Sequence, residues 1–220
     1  MENPLPLNTA SVMLVDDHPL LRKGLQQLIE LTDNLEVIAQ ASNGIDAIQL
    51  GTELDPDLIL LDLNMQGMDG LETLSQLRAA GVTSRIVMLT VSDADDDVIE
   101  AITRGADGYL LKDMEPEQLL EQIERSLEGK MVMSEAVTQA LATAIRRPQQ
   151  SSVADKMSSL TTREAEVLQF IAQGLSNKHI ARQLDISDGT VKVHVKHMLK
   201  KLGLRSRVEA AVWWTNQKQQ

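Results

Sequence analysis

The first 127 residues alternate between short apolar runs and amphipathic stretches. Nearly continuous apolar runs are typical of strands that are covered on both faces of a sheet. Each run is followed by a segment with apolar residues at helical spacing. The predicted strands are Ser11–Val15, Glu36–Ala41, Leu58–Leu63, Arg85–Val91 and Gly108–Leu111, and the predicted helices are Leu20–Leu31, Gly44–Glu53, Gly70–Ala80, Asp95–Arg104 and Pro116–Leu127. Five strands that alternate with five helices predict an α/β domain with a doubly wound parallel sheet.

The pattern changes in the second half of the chain. Residues 146–159 are polar, contain a proline and lack periodicity, which indicates a linker, and the helical pattern of 134–145 predicts a connecting helix. From Leu160 onward the pattern is helical throughout. We therefore predict a domain over residues 1–130, a connecting helix and linker over 131–159, and a small all-α domain over 160–220.

The helical tail carries clear start signals. Thr161 with Glu164 forms a capping box, Ser176 can cap a helix over Asn177–Leu184, and Ser187 can cap a helix over Asp188–Leu202. Two short helices that are joined by a tight turn follow the helix-turn-helix plan.

Charge differs between the two halves. The net charge is −11, but residues 1–150 hold 10 Lys and Arg against 26 Asp and Glu, whereas residues 151–220 hold 11 against 6. An acidic module is thus joined to a basic one that is suited to a polyanion. The chain has no cysteine, and no apolar run approaches the roughly 18 residues of a membrane-spanning helix. We expect a cytoplasmic protein with no membrane partner.

Polar and charged residues stand where the predicted strands end. Asp16 and Asp17 follow the first strand, and Asp62 ends the third; Thr90 ends the fourth, and Lys112 ends the fifth. The carboxyl ends of parallel strands share one edge of the sheet, where the sites of such folds lie. Three carboxylates in one place favour a hard cation such as Mg²⁺. A carboxylate beside Mg²⁺ and a lysine is placed to attack a phosphoryl group, and we identify this nucleophile as Asp62.

Two other interpretations of these residues exist. Asp62 alone would more often be a turn residue after a strand, but the whole set at one edge favours a functional site. A Mg²⁺-dependent phosphohydrolase with an aspartyl phosphate intermediate is the second. Hydrolases of the haloacid-dehalogenase type carry Asp-x-Asp after the first strand, whereas here the pair is adjacent and the nucleophile follows the third strand.

The motifs LVDDHP, LILLDLNMQGMDGLE, IVMLTVSD and GADGYLLKD together resemble the receiver domain of two-component response regulators, which has a flavodoxin-like fold. The resemblance covers residues 11–130 and implies a phosphoacceptor that is charged by a sensor histidine kinase. It assigns phosphorylation to Asp62, and Mg²⁺ binding to Asp16, Asp17, Asp62 and the backbone carbonyl of Asn64, with Asp16 acting mainly through water. It also assigns phosphate pairing to Lys112 and the switch to Thr90 and Tyr109. Gln66 departs from the pattern, since receivers usually carry proline there.

The third helix of the tail separates an apolar stripe from a basic face. Val191, Val195, Met198 and Leu202 form the predicted core stripe. Lys192, Lys196 and Lys200 share a neighbouring face, with Val193 beside them and Lys201 near the helix end. Three lysines at a spacing of four residues repel each other on one helix face, so binding of an anionic partner would reduce this repulsion. Val193 is suited to contact a thymine methyl group. A protein-interaction module is the alternative, and the basic face argues against it.

The stretch SNKHIARQLDISDGTVKVHVKHMLKKL resembles the LuxR-type DNA-binding domain, and both domains in this order resemble the NarL/FixJ family. The resemblance implies a transcriptional regulator, not an enzyme, that binds double-stranded promoter DNA as a homodimer. The dimer helix would be Arg207–Trp214, with Val208, Ala211 and Val212 at its seam. Within the family, the motifs are most similar to nitrate- and nitrite-responsive regulators of anaerobic respiration genes. The charge asymmetry further predicts that the unphosphorylated receiver covers the helix Asp188–Leu202, and that phosphorylation releases it.

Overall fold

The receiver half is a five-stranded parallel sheet. The computed structural model of the protein describes residues 9–91, 95–127 and 157–217. The strands are β1 (Ala10–Val15), β2 (Leu35–Ala41), β3 (Leu58–Asp62), β4 (Arg85–Thr90) and β5 (Gly108–Leu111), in the spatial order β2-β1-β3-β4-β5. The predicted α/β receiver fold with a doubly wound sheet is confirmed, and β3 and β4 are buried along their whole length.

Five helices cover the two faces of the sheet, and each follows one strand in sequence. They are α1 (Pro19–Ile29), α2 (Gly44–Leu54), α3 (Gly70–Ala79), α4 (Asp95–Arg104) and α5 (Pro116–Leu127). Apolar residues of successive strand positions alternate between two cores. One core holds Met13, Ile59 and Met88, and the other holds Leu14, Leu60 and Leu89. Because both faces are covered, each strand is a continuous apolar run, as the sequence predicts.

A glycine allows α3 to begin directly beside the end of β3. A Cβ atom at Gly70 would collide with the carbonyl oxygen of Asp62 and approach Cα of Leu63. Asp69 caps the helix by accepting a hydrogen bond from the backbone N–H of Glu72. The chain therefore turns sharply after Asp62 and keeps this residue at the carboxyl edge of the sheet.

The tail is a separate helical domain with its own core. Its helices are α6 (Thr162–Ala172), α7 (Asn177–Leu184), α8 (Asp188–Leu202) and α9 (Arg207–Gln217). The predicted core stripe of α8 is buried and packs with residues of α6 and α7 such as Val167, Leu168 and Ile180. The predicted all-α helix-turn-helix tail is confirmed. We call α8 the recognition helix below.

The predicted caps of the tail helices are confirmed. Thr161 and Glu164 form a complete capping box, and the Ser176 and Ser187 hydroxyls accept hydrogen bonds from the backbone N–H groups of His179 and Thr190. Asp185 adopts a left-handed conformation (φ 53°) at the turn between α7 and α8.

Some predictions differ from the structure or fall outside it. Helix α1 ends at Ile29, two residues earlier than predicted, and Leu31 is exposed. The predicted connecting helix at 134–145 lies outside the described residues, so the predicted domain boundaries stay predictions. In the described part of the chain, no helix is long and apolar enough to cross a membrane.

Candidate functional site

A lysine joins two buried carboxylates at the carboxyl edge of the sheet. Asp16 follows β1 and Asp62 ends β3, and both are about 1% exposed. Lys112 follows β5, and its backbone N–H donates to the carbonyl oxygen of Thr90. Lys112 Nζ lies 2.7 Å from Asp16 Oδ2 and 2.8 Å from Asp62 Oδ1. The structure therefore brings together residues that are separated by up to 96 positions, as the strand-end argument predicts.

Asp17 and His18 complete the acidic pocket on its outer side. Asp17 Oδ2 accepts a 3.0 Å hydrogen bond from the backbone N–H of Gln66, which ties the loop after β3 to the end of β1. His18 Nδ1 lies 2.8 Å from Asp17 Oδ1 and 3.2 Å from Asp16 Oδ1. No motif of the sequence assigns a role to His18. Its position directly after an Asp pair is the only signal in the sequence that points to it.

The charge balance of the pocket is incomplete. Burial, followed by the charge of Asp16, raises the pKa of Asp62 above its ordinary value, although hydrogen bonds and charge from Lys112 and the backbone N–H of Asn64 oppose the rise. One lysine thus serves two carboxylates, with Asp17 close by. A further cation would lower the cost of keeping all three ionised.

The donor set fits a magnesium ion. One ligand atom from each of Asp16, Asp17, His18 and Asp62 lies within 4.8 Å of the others. Asp62 Oδ2 is buried and accepts no hydrogen bond from the described residues, so it is available as a ligand. Oxygen ligands from two or three carboxylates are what Mg²⁺ prefers. Asp17 and Asp62 are therefore the residues best placed to hold the ion, whereas Asp16 is buried and already pairs with Lys112.

The residues predicted for the switch lie in two neighbouring strands, β4 and β5. Thr90 ends β4 and is fully buried, and Tyr109 lies in β5 within the core that α3 and α4 cover. The backbone N–H of Asn64 donates to Asp62 Oδ1 over 3.2 Å, which places its peptide at the site. Gln66 is exposed in the same loop.

The recognition helix presents a basic face outside its buried stripe. Val193 is half exposed, and Lys196 and Lys200 are exposed. Lys201 differs from its neighbours because its Nζ lies 2.6 Å from Glu164 Oε2 of the capping box. Lys201 therefore links α8 to α6, a role that the spacing of residues within α8 does not predict.

The receiver contacts this basic face directly. Lys192 Nζ donates to the carbonyl oxygen of Asp55, and Lys196 Nζ donates to that of Ala80 over 3.4 Å. A Cβ atom at Gly81, which has φ +81°, would collide with the Lys196 side chain. We call this arrangement, in which the recognition helix lies against the receiver, the closed arrangement.

Further contacts between the domains surround the recognition helix. Lys178 of α7 pairs with Asp57 over 2.8 Å, and Arg205 Nη1 donates to the Thr103 carbonyl oxygen over 2.8 Å. Asp57 precedes β3, and Thr103 belongs to the last turn of α4, just before β5. The contacts thus lie at the amino edge of the sheet. Five strand residues, about 16 Å, separate them from the acidic pocket.

The predicted dimer helix belongs to α9. Val208, Ala211 and Val212 are half-buried, and Ala211 packs on the core of the tail. Arg207 begins the helix, and its side chain is buried, donating to Asn177 Oδ1 over 3.1 Å and to the carbonyl oxygen of Leu175 over 2.5 Å. This arginine fixes α9 to the start of α7.

Two protein families match the chain, one for each domain. The response regulator receiver domain matches residues 12–124, and the luxR family of bacterial regulatory proteins matches residues 158–214. The chain belongs to the LuxR-type response regulators. The predicted membership of the NarL/FixJ type is thereby confirmed, as is a domain for DNA binding.

Two curated proteins match this chain over almost its whole length, and a solved structure matches part of it. This response regulator is 56% identical over 204 residues to the nitrate/nitrite response regulator protein NarL of Escherichia coli strain K12, covering 93% of this chain and 94% of that protein. It is 53% identical over 207 residues to NarP of the same organism, covering 94% and 95%. A solved LuxR-family response regulator from an Aurantimonas species is 34% identical with a TM-score of 0.56, covering 62% of this chain and 97% of that one.

Proposed function

We propose that this response regulator is a DNA-binding switch that is closed until Asp62 is phosphorylated. The observation that carries the proposal is the engagement of Lys192 and Lys196 with receiver carbonyl oxygens. Lysines that donate to the receiver are withdrawn from DNA phosphates and bases. The acidic pocket lies at the opposite edge of the sheet, so its chemistry can proceed while the recognition helix is covered.

The phosphoryl group comes from the phosphohistidine of a sensor histidine kinase. A carboxylate oxygen of Asp62 attacks phosphorus while the phosphorus–nitrogen bond breaks, and the imidazole leaves with the electron pair. Asp17, Asp62 and the Asn64 carbonyl would hold Mg²⁺, with Asp16 acting mainly through water, and the bound ion would supply positive charge near the phosphoryl oxygens. Lys112 already contacts Asp62 and pairs with the new phosphate. The chain's own contribution is thus an aligned nucleophile and a fixed ammonium group.

Helix α4 is suited to carry the change to the other edge of the sheet. It follows β4, whose last residue is Thr90, and it ends beside Arg205 of the tail. A phosphate on Asp62 would draw the Thr90 hydroxyl inward and allow Tyr109 to repack, which alters the face formed by α4 and β5. The Arg205 contact with Thr103 then changes its geometry, and the closed arrangement loses stability.

The released tail binds promoter DNA as a homodimer. Lys192, Val193 and Lys196 face base edges in the major groove, whereas Lys200 and Lys201 act through phosphates. Pairing through Val208, Ala211 and Val212 of α9 places two recognition helices on paired half-sites. We further propose that the stimulus is nitrate or nitrite and that the targets are anaerobic respiration genes, since NarL and NarP are nitrate/nitrite response regulators.

A phosphotransfer assay tests the chemical core of the proposal. A phosphorylated histidine kinase or a small phosphoryl donor should label the wild-type protein in the presence of Mg²⁺ and should not label Asp62→Asn. Omission of Mg²⁺ should abolish labelling of the wild type. Asp69→Asn, which alters a nearby capping carboxylate, serves as the matched control and should be labelled. Labelled Asp62→Asn protein would place the nucleophile elsewhere.

The phosphohydrolase alternative makes a different demand. Such an enzyme would release phosphate from small phosphoesters in repeated turnovers, whereas the switch accepts one phosphoryl group per chain. The relatives with whole-length similarity are regulators with a DNA-binding domain. We therefore favour the switch.

A further inference from the structure

A groove between the two domains has five cationic side chains among its thirteen lining residues, and none of the thirteen is acidic. It has a volume of about 700 Å³ and separates α3 and the end of α4 from the recognition helix. Its cations are Arg78 and Arg104 of the receiver and Lys196, Lys200 and Arg205 of the tail. Val82, Leu199 and Leu204 supply an apolar wall. The volume falls within the range of small-molecule sites, about 300–1,000 Å³.

The receiver cations of the groove are fixed in place. Arg78 donates to the carbonyl oxygens of Gly105, Val82 and Ser84 and pairs with Asp107 over 2.5 Å. Arg104 pairs with Glu100 over 2.6 Å and also donates to the Ser75 hydroxyl. Side chains that are held by their neighbours lose little entropy on meeting a ligand.

The tail cations lack such neutralising partners. Lys196 and Arg205 donate to backbone carbonyl oxygens, and within the described ranges neither they nor Lys200 lies within 4.0 Å of a carboxylate oxygen. The groove therefore carries a surplus of about three positive charges, although the receiver as a whole is acidic. These surplus charges all come from the tail, and an anion in the groove would reduce the repulsion among them.

Buried arginines behind the groove add to this surplus. Arg85 and Arg207 are 5% and 6% exposed and come from different domains. Arg85 Nε is buried and donates to no acceptor among the described residues. Burial, together with the positive charge of Arg85, lowers the pKa of Arg207 to about 9. Asp107 is the carboxylate that Arg78 and both buried arginines share.

We propose that the groove binds a small organic phosphate ester with two or more negative charges, and that this ligand stabilises the closed arrangement. The phosphates would lie between Arg104 and Arg205 on one side and Lys196 and Lys200 on the other. The organic part would rest on Val82, Leu199 and Leu204. Charge-assisted hydrogen bonds from guanidinium and ammonium groups are the interactions that recognise phosphate.

The ligand would oppose DNA binding. It occupies Lys196 and Lys200, which the proposed function assigns to DNA, and it needs receiver side chains that a released tail no longer meets. By linkage, phosphorylation of Asp62 should lower the affinity for the ligand, and bound ligand should reduce the release of the tail that phosphorylation causes. This effect rests on the proposed function, whereas ligand binding itself does not.

Calorimetric titration of the full chain tests the site. The probes are ADP and inorganic pyrophosphate, without Mg²⁺, DNA or phosphoryl donor, so that the acidic pocket does not contribute. We expect one ADP per chain, tighter binding of ADP than of pyrophosphate, and at least fivefold weaker binding for Arg104→Gln and for Lys200→Gln. Lys23→Gln in α1 and Arg163→Gln in α6 are exposed control variants that should bind as the wild type.

Four outcomes would overturn the proposal. They are absence of binding, equal affinity for pyrophosphate and ADP, loss of affinity in a control variant, and loss in Lys200→Gln without loss in Arg104→Gln. The last would place the anion on the exposed basic face and not between the domains. Arg104→Lys should bind ADP more tightly than Arg104→Gln, because it keeps the positive charge. An unchanged unfolding temperature of Arg104→Gln and Lys200→Gln would exclude misfolding as the cause of their weaker binding. Because no DNA is present, failure of the switch would leave this result unchanged.

Discussion

Lys178 of the tail and Asp57 of the receiver form a 2.8 Å ion pair at the amino edge of the sheet. Asp57 Oδ2 also accepts hydrogen bonds from the backbone N–H and hydroxyl of Ser11, over 2.8 and 2.9 Å. Burial alone would raise the pKa of Asp57, but Lys178 and Ser11 hold it below its ordinary value. The carboxylate thus joins β1, β3 and the tail. Asp57 is therefore a contact point between the two domains in the closed arrangement, at the edge of the sheet opposite to Asp62.

Asp57→Asn should loosen the closed arrangement. The amide keeps a hydrogen-bonding oxygen for Ser11 but loses the charge that pairs with Lys178. A hydrogen bond to a charged group contributes about 1.5–3 kcal/mol, so the unphosphorylated variant should bind DNA about tenfold or more tightly than the wild type. Fluorescence anisotropy with a target duplex measures the change. Asp33→Asn removes the same charge at an exposed site and should have no effect. Unchanged DNA affinity in Asp57→Asn would remove this pair from the switch.

Asp62→Asn should stabilise the metal-free protein at neutral pH. Burial raises the pKa of Asp62 in the folded state, so the folded protein holds this proton more tightly than the unfolded chain does. The free energy of unfolding therefore includes a favourable contribution that is fully present below pH 3.8 and is lost as the pH rises through the folded pKa. The amide avoids this loss, and its advantage, a few degrees in unfolding temperature, should shrink as pH falls toward about 4. Mg²⁺ should raise the unfolding temperature of the wild type more than that of the variant. A lower unfolding temperature of metal-free Asp62→Asn at pH 7 would contradict this balance of charge.

Glu164→Gln should weaken the tail alone. The substitution keeps a capping side chain but loses the charged contact with Lys201, at a cost of about 1 kcal/mol. Both tryptophans of the chain, Trp213 and Trp214, lie in the tail, so tryptophan fluorescence reports its unfolding.

The pH dependence of that variant has a defined sign. Burial raises the pKa of Glu164, but hydrogen bonds from Lys201 and Thr161 outweigh it and leave the value below 4.5. The stabilisation is therefore present above pH 4.5 and is lost as pH falls through the lowered value. The unfolding curves of wild type and Glu164→Gln should converge at low pH. Glu166→Gln, at the exposed partner of Arg163, is the control, and a constant difference at all pH values would contradict the assignment.

The lysines of the recognition helix should differ in how they affect DNA binding. In the phosphorylated protein, Lys196→Ala should reduce discrimination between a target and random DNA by about 1–3 kcal/mol. Lys200→Ala should weaken binding to both target and random DNA. It should also reduce the slope of log affinity against log salt concentration by about one. Lys201→Ala should reduce it less, because Lys201 pairs with Glu164. An equal loss on target and random DNA for Lys196→Ala would show that Lys196 does not read bases.

The sequence predicts the elements and the pocket because each depends on local pattern or on chain topology. Apolar runs define the strands, and parallel strands then bring Asp16, Asp62 and Lys112 to one edge. The Ser176 and Ser187 caps follow from short-range hydrogen bonding. These parts of the fold and of the site could therefore be predicted without coordinates.

The contacts between the domains could not be predicted in the same way. Lys178 with Asp57 and Arg205 with Thr103 join residues more than 100 positions apart, and their pairing depends on how two folded domains are oriented. Charge asymmetry indicates attraction but does not select partners. For a related reason, helical spacing cannot show that Glu164 of another helix lies beside Lys201.

The most direct test of the account compares the isolated tail with the whole protein. Residues 156–220 include the complete core of the tail, and they lack the receiver carbonyl oxygens that hold Lys192 and Lys196. Anisotropy titrations with one target duplex at fixed salt should show that the isolated tail, without phosphorylation, binds DNA at least as tightly as the unphosphorylated full chain. Phosphorylation of the full chain should raise its DNA affinity to at least that of the isolated tail. If the isolated tail binds more weakly than the unphosphorylated full chain, the receiver assists DNA binding and does not cover the recognition helix.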